Sequence, residues 1–156
     1  MSKQLIIIGS DHRGYKLKQE LIKWLNRNKY EVKDYGTDSE KSVDYPKIAA
    51  RAVNAVLVQD KALGVLICSS GIGMSMAANR FAGIRAALVY NREVAKHTRE
   101  HNLANVICLA ADHFSLKEQK KMLSDWLITK PTKKERYLKR TIMMDELMPP
   151  SCPGCF

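Results

Sequence analysis

Leu63-Gly64-Val65-Leu66-Ile67-Cys68-Ser69-Ser70-Gly71-Ile72-Gly73-Met74 is an apolar run that stops on a cysteine, passes through small residues and leads into a helical pattern over 74–81. A short continuous apolar run bounded by turn residues reads as a strand buried on both faces. The order strand, loop, helix puts the Cys68 thiol and several backbone N–H groups at the carboxyl end of a strand and the start of a helix. Unpaired N–H groups and the helix dipole favour anions there, and a thiol in that position ionises more readily. A base beside an anion cradle suits a phosphorylated or enolisable substrate.

The same alternation extends in both directions. Mainly apolar runs over 5–8, 84–90 and 106–109, and the stretch 30–35 stopped by Gly36, predict four more strands around the one at 63–67. Leu17, Leu21, Trp24 and Leu25 recur at helical spacing,. Pro46 opens a helix to about 59 at its favoured first turn,. A further helix is predicted over 92–100, and Ser115 with Glu118 forms a capping box for another, through Leu127,. Five short strands alternating with helices predict an α/β fold: a five-stranded parallel sheet covered on both faces, with ligands bound beyond the carboxyl ends of the strands. The segment 132–148 predicts a C-terminal helix. Tyr137, Leu138, Ile142, Met143, Leu147 and Met148 give it more apolar surface than a lone exterior helix needs, so it either packs on its own domain or meets a second subunit,. Residues 1–148 read as one domain and 149–156, with three prolines, as a flexible tail,.

The net charge of +10 points to an anionic partner, either a metabolite or nucleic acid,. The C-terminal basic run, Lys130, Lys133, Lys134, Arg136, Lys139 and Arg140, has little aromatic interleaving, which argues against nucleic acid,. No apolar run has the length of a membrane span, and the one at 5–8 is too short for a signal-peptide core, so a cytoplasmic protein is expected,. Cys68 and Cys108 fall in strand patterns, as reduced buried cysteines do,. Cys152-Pro153-Gly154-Cys155 lacks both the second ligand pair of a zinc site and the following helix of a redox site,.

Three other stretches carry candidate chemistry. Gly9-Ser10-Asp11-His12-Arg13-Gly14 follows the first strand but has Tyr15 where a P-loop has lysine,. Asp11 either caps the first helix or shares a pocket with the Cys68 loop. In Asp44-Tyr45-Pro46, Asp44 is placed to cap the second helix, and Tyr45 either only staples the chain or overhangs the same rim and touches ligand,. His97-Thr98-Arg99-Glu100-His101 has the H-x-x-E-H order of an inverted zinc-peptidase site, though a parallel α/β pattern is a poor context for one,. Alternatively His101 and Asn102 end a helix, where an imidazole serves as an acid–base group.

Together, Gly9 to Tyr15, Asp44-Tyr45-Pro46, Ile67 to Gly73, Ala77-Ala78-Asn79-Arg80, Gly83-Ile84-Arg85-Ala86, His101-Asn102 and Asn105-Val106 resemble ribose-5-phosphate isomerase type B and its sugar-phosphate isomerase relatives, from residue 4 to about 142. The resemblance implies a three-layer Rossmann-like fold, a dimer or dimer of dimers with active sites between subunits, and a small phosphorylated sugar as substrate. It implies interconversion of ribose 5-phosphate and ribulose 5-phosphate through an enediolate, with no metal or other cofactor. By position, Cys68 is the implied base, and Ser70 with the backbone of Ser69, Gly71, Ile72 and Gly73 the implied cradle. His101, with Asp11 nearby, would open the sugar ring. Asn102 would bind the reacting oxygens, and His12, Arg136 and Arg140 the phosphate. The chain departs from the family at Ser69 and Ser70, at Arg136-Tyr137, and at Asp112, where an arginine is expected. A carboxylate beside a phosphate is unfavourable, which leaves two alternatives: an isomerase of six-carbon sugar phosphates such as those of allose and galactose, or a module that binds sugar phosphates without turnover.

Overall fold

The computed structural model describes residues 3–147. The Cys152/Cys155 pair and the tail at 149–156 lie outside the described residues. The element order is β1 (Leu5–Ser10), α1 (Tyr15–Arg27), β2 (Glu31–Asp34), α2 (Tyr45–Val58), β3 (Leu63–Cys68), α3 (Ile72–Ala78), β4 (Ala86–Leu88), α4 (Arg92–Asn102), β5 (Val106–Ala110), α5 (Leu116–Ile128) and α6 (Glu135–Glu146). The strands form one parallel sheet in the order β2-β1-β3-β5-β4. This is the predicted five-stranded α/β architecture in three layers.

Alternate strand residues face opposite layers. Ile7, Leu66, Cys68 and Cys108 pack with α2 and α3, whereas Ile6, Ile8, Val65, Ile67, Ile107 and Leu109 pack with α1, α4 and α5. β3 is buried along its whole length, as its unbroken apolar run requires. The chain leaves β1 for β2 on one side and returns to β3 on the other, so the order reverses between β1 and β3. A crevice forms outside the carboxyl ends of strands at such a reversal.

Two expectations are corrected. The strand predicted over 84–90 pairs only from Ala86 to Leu88. The Asn79 side chain takes both the N–H and the carbonyl of Ala86, and the Asn105 side chain accepts the Arg85 N–H, while the Arg85 carbonyl accepts the Val106 N–H of β5, so the start of this edge strand is bound by side chains on one side and by β5 on the other. The helix predicted over 74–81 begins earlier, at Ile72, and ends at Ala78.

The loop after β2 is fastened from below. Lys18 on α1 is almost wholly buried and donates to the Asp34 carboxylate at 2.5 Å and the Thr37 carbonyl at 2.6 Å. A buried ammonium needs such pairing. This bond set fixes the path that delivers Val43, Asp44 and Tyr45 to the carboxyl edge of the sheet.

Candidate active site

Cys68 ends β3 with its sulfur buried, and Sγ accepts the Gly71 N–H at 3.1 Å. Gly71 makes that turn in the left-handed region at φ 73°. A Cβ at this position would lie 2.5 Å from Leu88 Cδ1 and 3.2 Å from the Leu109 carbonyl. The Ser70 hydroxyl accepts the Ile72 N–H at 3.4 Å. The implied cradle is therefore partly used by its own loop. The N–H groups of Gly73 and Met74 have no hydrogen-bond partner among the described residues and remain for an anion. The Tyr45 ring lies against Gly73, where a Cβ would sit 2.8 Å from the ring. Tyr45 thus overhangs the Cys68 loop, as one of its two sequence readings expects.

The β1–α1 loop joins this cluster. Asp11 N donates to the Ile67 carbonyl at 3.2 Å, and Asp11 Oδ1 accepts the N–H groups of Arg13 and Gly14, each at 3.0 Å. One carboxylate oxygen thereby organises the approach to α1, although the helix itself begins with no side-chain cap at Gly14. A Cβ on Gly14 would meet the Ile67 carbonyl oxygen at 2.8 Å, so this loop touches β3 only because residue 14 is glycine. His12 Nδ1 accepts the Val43 N–H at 3.3 Å, which leaves Nε2 as the protonated nitrogen of the neutral ring,. Asp44 occupies the N-cap of α2 but makes no side-chain cap; its carboxylate instead pairs with Lys47 at 2.8 Å.

Asp112, in the loop after β5, links three loops. Its N–H donates to the Ser69 carbonyl at 3.0 Å, and its Oδ2 receives Arg13 Nε at 3.1 Å and Nη2 at 2.7 Å. The Ser69 hydroxyl and then Arg13 hold the Asp112 carboxyl below the ordinary carboxylate range. Cys108, by contrast, is fully buried, and burial pushes its thiol above the ordinary value,.

His101, Asn102, Arg136 and Arg140 stand elsewhere. α4 starts after β4 at the carboxyl edge and, with 11 residues, carries its far end about 16 Å back across the sheet,. His101 and Asn102 therefore lie at the edge where the strands begin, opposite Cys68. There they border a hollow of about 350 Å³ with Tyr137, Arg140, Thr141 and Met144 of α6. His101 stacks on Tyr137 with centroids 4.5 Å apart, and Arg136 covers the other part of the stack, 4.7 Å from the Tyr137 centroid and 2.9 Å from its hydroxyl. His97 stacks on His101 at 5.0 Å. The two histidines of the zinc-like motif are thus stacked on each other, and no third His, Cys, Asp or Glu joins them in a metal-binding group among the described residues. Within one chain, the expected proximity of Asp11 to His101, and of His12 to Arg136 and Arg140, does not occur.

Sequence reasoning missed the Arg13–Asp112 pair. The two charges stand in loops that become neighbours only because β1 and β5 flank β3, and that order is not encoded in local pattern.

Comparison with known proteins agrees with this architecture. The ribose/galactose isomerase family model matches residues 6–144. Ribose-5-phosphate isomerase B of Escherichia coli is 38% identical over 122 residues, spanning 78% of this chain and 82% of the relative. The crystal structure of a ribose 5-phosphate isomerase from Thermotoga maritima superposes with a TM-score of 0.89 at 36% identity, covering 94% of this chain and 100% of the other. Ribose-5-phosphate isomerase B of Clostridium thermocellum gives 0.88 at 38%, covering 92% and 96%.

Proposed function

The chain belongs to the ribose/galactose isomerase family, and on that premise we propose that it interconverts ribose 5-phosphate and ribulose 5-phosphate with Cys68 as the base. The observation that carries this reading is the Cys68 Sγ at the end of β3, faced by the Gly71 N–H. That N–H remains a partner for sulfur when the proton leaves. Cys68 removes the proton from C2 of the open-chain aldose. The C–H electron pair forms the C1–C2 double bond and pushes the carbonyl electrons onto O1, giving the enediolate. The O2 hydroxyl proton then passes to O1, and return of the abstracted proton from Cys68 to C1 re-forms the carbonyl at C2 and gives the ketose. Negative charge develops on the oxygens, where the Ser70 hydroxyl and the free N–H groups of Gly73 and Met74 lower the barrier. No step in this sequence requires a metal.

The separation of His101 from Cys68 supports a site completed by a second copy of the chain. Two apolar surfaces favour that association. Ile72 and Met76 are exposed on α3 beside the Cys68 loop, and Ile142, Met143 and Leu147 are exposed at the α6 end beside His101. A two-fold pairing that buries one against the other joins the two ends twice. In it, His101 of the partner subunit opens the furanose ring, Asn102 of the partner subunit binds the reacting oxygens, and Arg136 and Arg140 of the partner subunit hold the phosphate with His12.

The test is turnover of ribose 5-phosphate by the purified protein with chelator present, beside Cys68→Ala. Loss of turnover in a variant with an unchanged circular dichroism spectrum supports the assignment, with an expected fall of about 10²–10⁴-fold for loss of a proton-transfer group. Full activity in Cys68→Ala removes Cys68 as base. Turnover confined to six-carbon sugar phosphates would change the substrate and keep the site.

A further inference from the structure

We propose that Arg13 is a phosphate-binding residue of this site, aimed by Asp112; the inference rests on the sugar-phosphate reading above. Arg13 follows His12 at the carboxyl edge, and its side chain is 59% exposed. The Asp112 oxygen Oδ2 takes Nε and one Nη2 hydrogen from a single side of the guanidinium. The remaining Nη2 hydrogen and both Nη1 hydrogens have no partner among the described residues. They form the second edge of the same planar fork, the geometry that matches two oxygens of a phosphate.

Asp112 gives that fork a fixed direction. An unrestrained arginine gives up much rotamer freedom on binding, whereas this one is clamped by a carboxylate whose residue is tied through its own N–H to the Ser69 carbonyl. The clamp reaches from the β1–α1 loop to the loop that carries Cys68, so phosphate binding and the position of the base share one support.

The charge balance requires a cation here. Asp11 and Asp112 both lie on this edge, and both act on Arg13. Without its guanidinium, an arriving phosphate would meet two carboxylates. Asp112 therefore does not exclude a phosphate site. It neutralises one side of Arg13 and presents the other.

The experiment compares wild type, Arg13→Ala, Arg13→Lys and Asp112→Asn by steady-state isomerisation and by inorganic phosphate as competitive inhibitor. Arg13→Ala should raise KM for ribose 5-phosphate about tenfold or more, the worth of one charge-assisted contact, with a parallel loss in phosphate inhibition and kcat within about twofold. Arg13→Lys, which keeps the charge and loses the fork, should recover only part. Asp112→Asn should raise KM less than Arg13→Ala, because the fork remains but is no longer aimed. Unchanged KM and phosphate inhibition in Arg13→Ala overturn the proposal, as does a fall in kcat at constant KM, which marks a structural pair only. If the wild type proves inactive, the proposed reaction fails. The rise in melting temperature with inorganic phosphate, compared between wild type and Arg13→Ala, then still decides the role of Arg13: a smaller rise in the variant supports it and equal rises overturn it.

Discussion

The two ends of the sheet are built in different ways. At the carboxyl edge, the loops are tied to buried strands and to each other through main-chain bonds: Asp11 N to Ile67, Thr37 N to Ser10, Ala111 N to Cys68, and between loops Asp112 N to Ser69. At the opposite edge, His101 is placed by a column of side chains on two helices, and α6 leaves Ile142, Met143 and Leu147 to solvent. A base that removes a proton from carbon needs its position set closely, and backbone bonds to a closed core provide that. In the proposed dimer, the imidazole and arginine groups of the other end take their final position on association. Half of the proposed site is thus fixed by folding and the other half by assembly.

The strongest way to break this comparison is subunit complementation. Cys68→Ala and His101→Ala should each lose turnover as homodimers. Mixed after dissociation and reassociation, they should regain about a quarter of wild-type activity, because half of the dimers are mixed and each of those has one of its two sites free of both changes. No recovery in a sample shown to contain mixed dimers would place Cys68 and His101 in the same chain's site. The fold seen here would then need a rearrangement that brings the end of α4 across the sheet.

The carboxyl edge was legible in the sequence because its signals are local. An apolar strand, a cysteine and small loop residues adjoin in the chain at 63–73, and the implied positions of Ser70 and Gly71 follow from the turn they share. The other end was not legible in the same way. His101 and Asn102 end α4, as one reading of the sequence has it, but where that end lies relative to Cys68 depends on how α4 crosses the sheet and not on local pattern. The strand expected over 84–90 forms but pairs only from Ala86 to Leu88, and side chains distant in sequence, Asn79 and Asn105, bond the backbone at its start. Asp112 was readable as an anomaly but not as half of a pair, since its partner comes from the other side of the sheet order.

A second prediction sharpens the claim that folding fixes the Cys68 end. Gly71→Ala puts a side chain at φ 73° and forces a Cβ against Leu88 and the Leu109 backbone. The expected cost is roughly 1–3 kcal/mol, read as a lower urea midpoint, with turnover lost because the N–H facing Cys68 moves. A variant of wild-type stability and activity would show that this loop adapts freely, and the contrast between the two ends would disappear.

The smallest expected effect concerns acid. Asp112 holds its proton less tightly in the folded protein than in the unfolded chain, chiefly because the Ser69 hydroxyl and then Arg13 favour the carboxylate. A group whose folded value is depressed contributes stability that is complete above its unfolded value, about pH 3.9 for Asp, and is lost as pH falls through the folded value. Asp112→Asn removes that contribution and keeps an acceptor for Ser69. The difference in urea midpoint between wild type and Asp112→Asn should therefore be constant from pH 7 to about pH 5 and should shrink as the pH is lowered through the ordinary Asp range and below it. Both partners are solvent-accessible, and screening keeps the difference small and sensitive to salt. A difference independent of pH would mean that Asp112 acts through shape and its main-chain bond to Ser69 alone. The three loops of the carboxyl edge would then be joined by backbone only, with no charge holding Arg13 to the loop that carries Cys68.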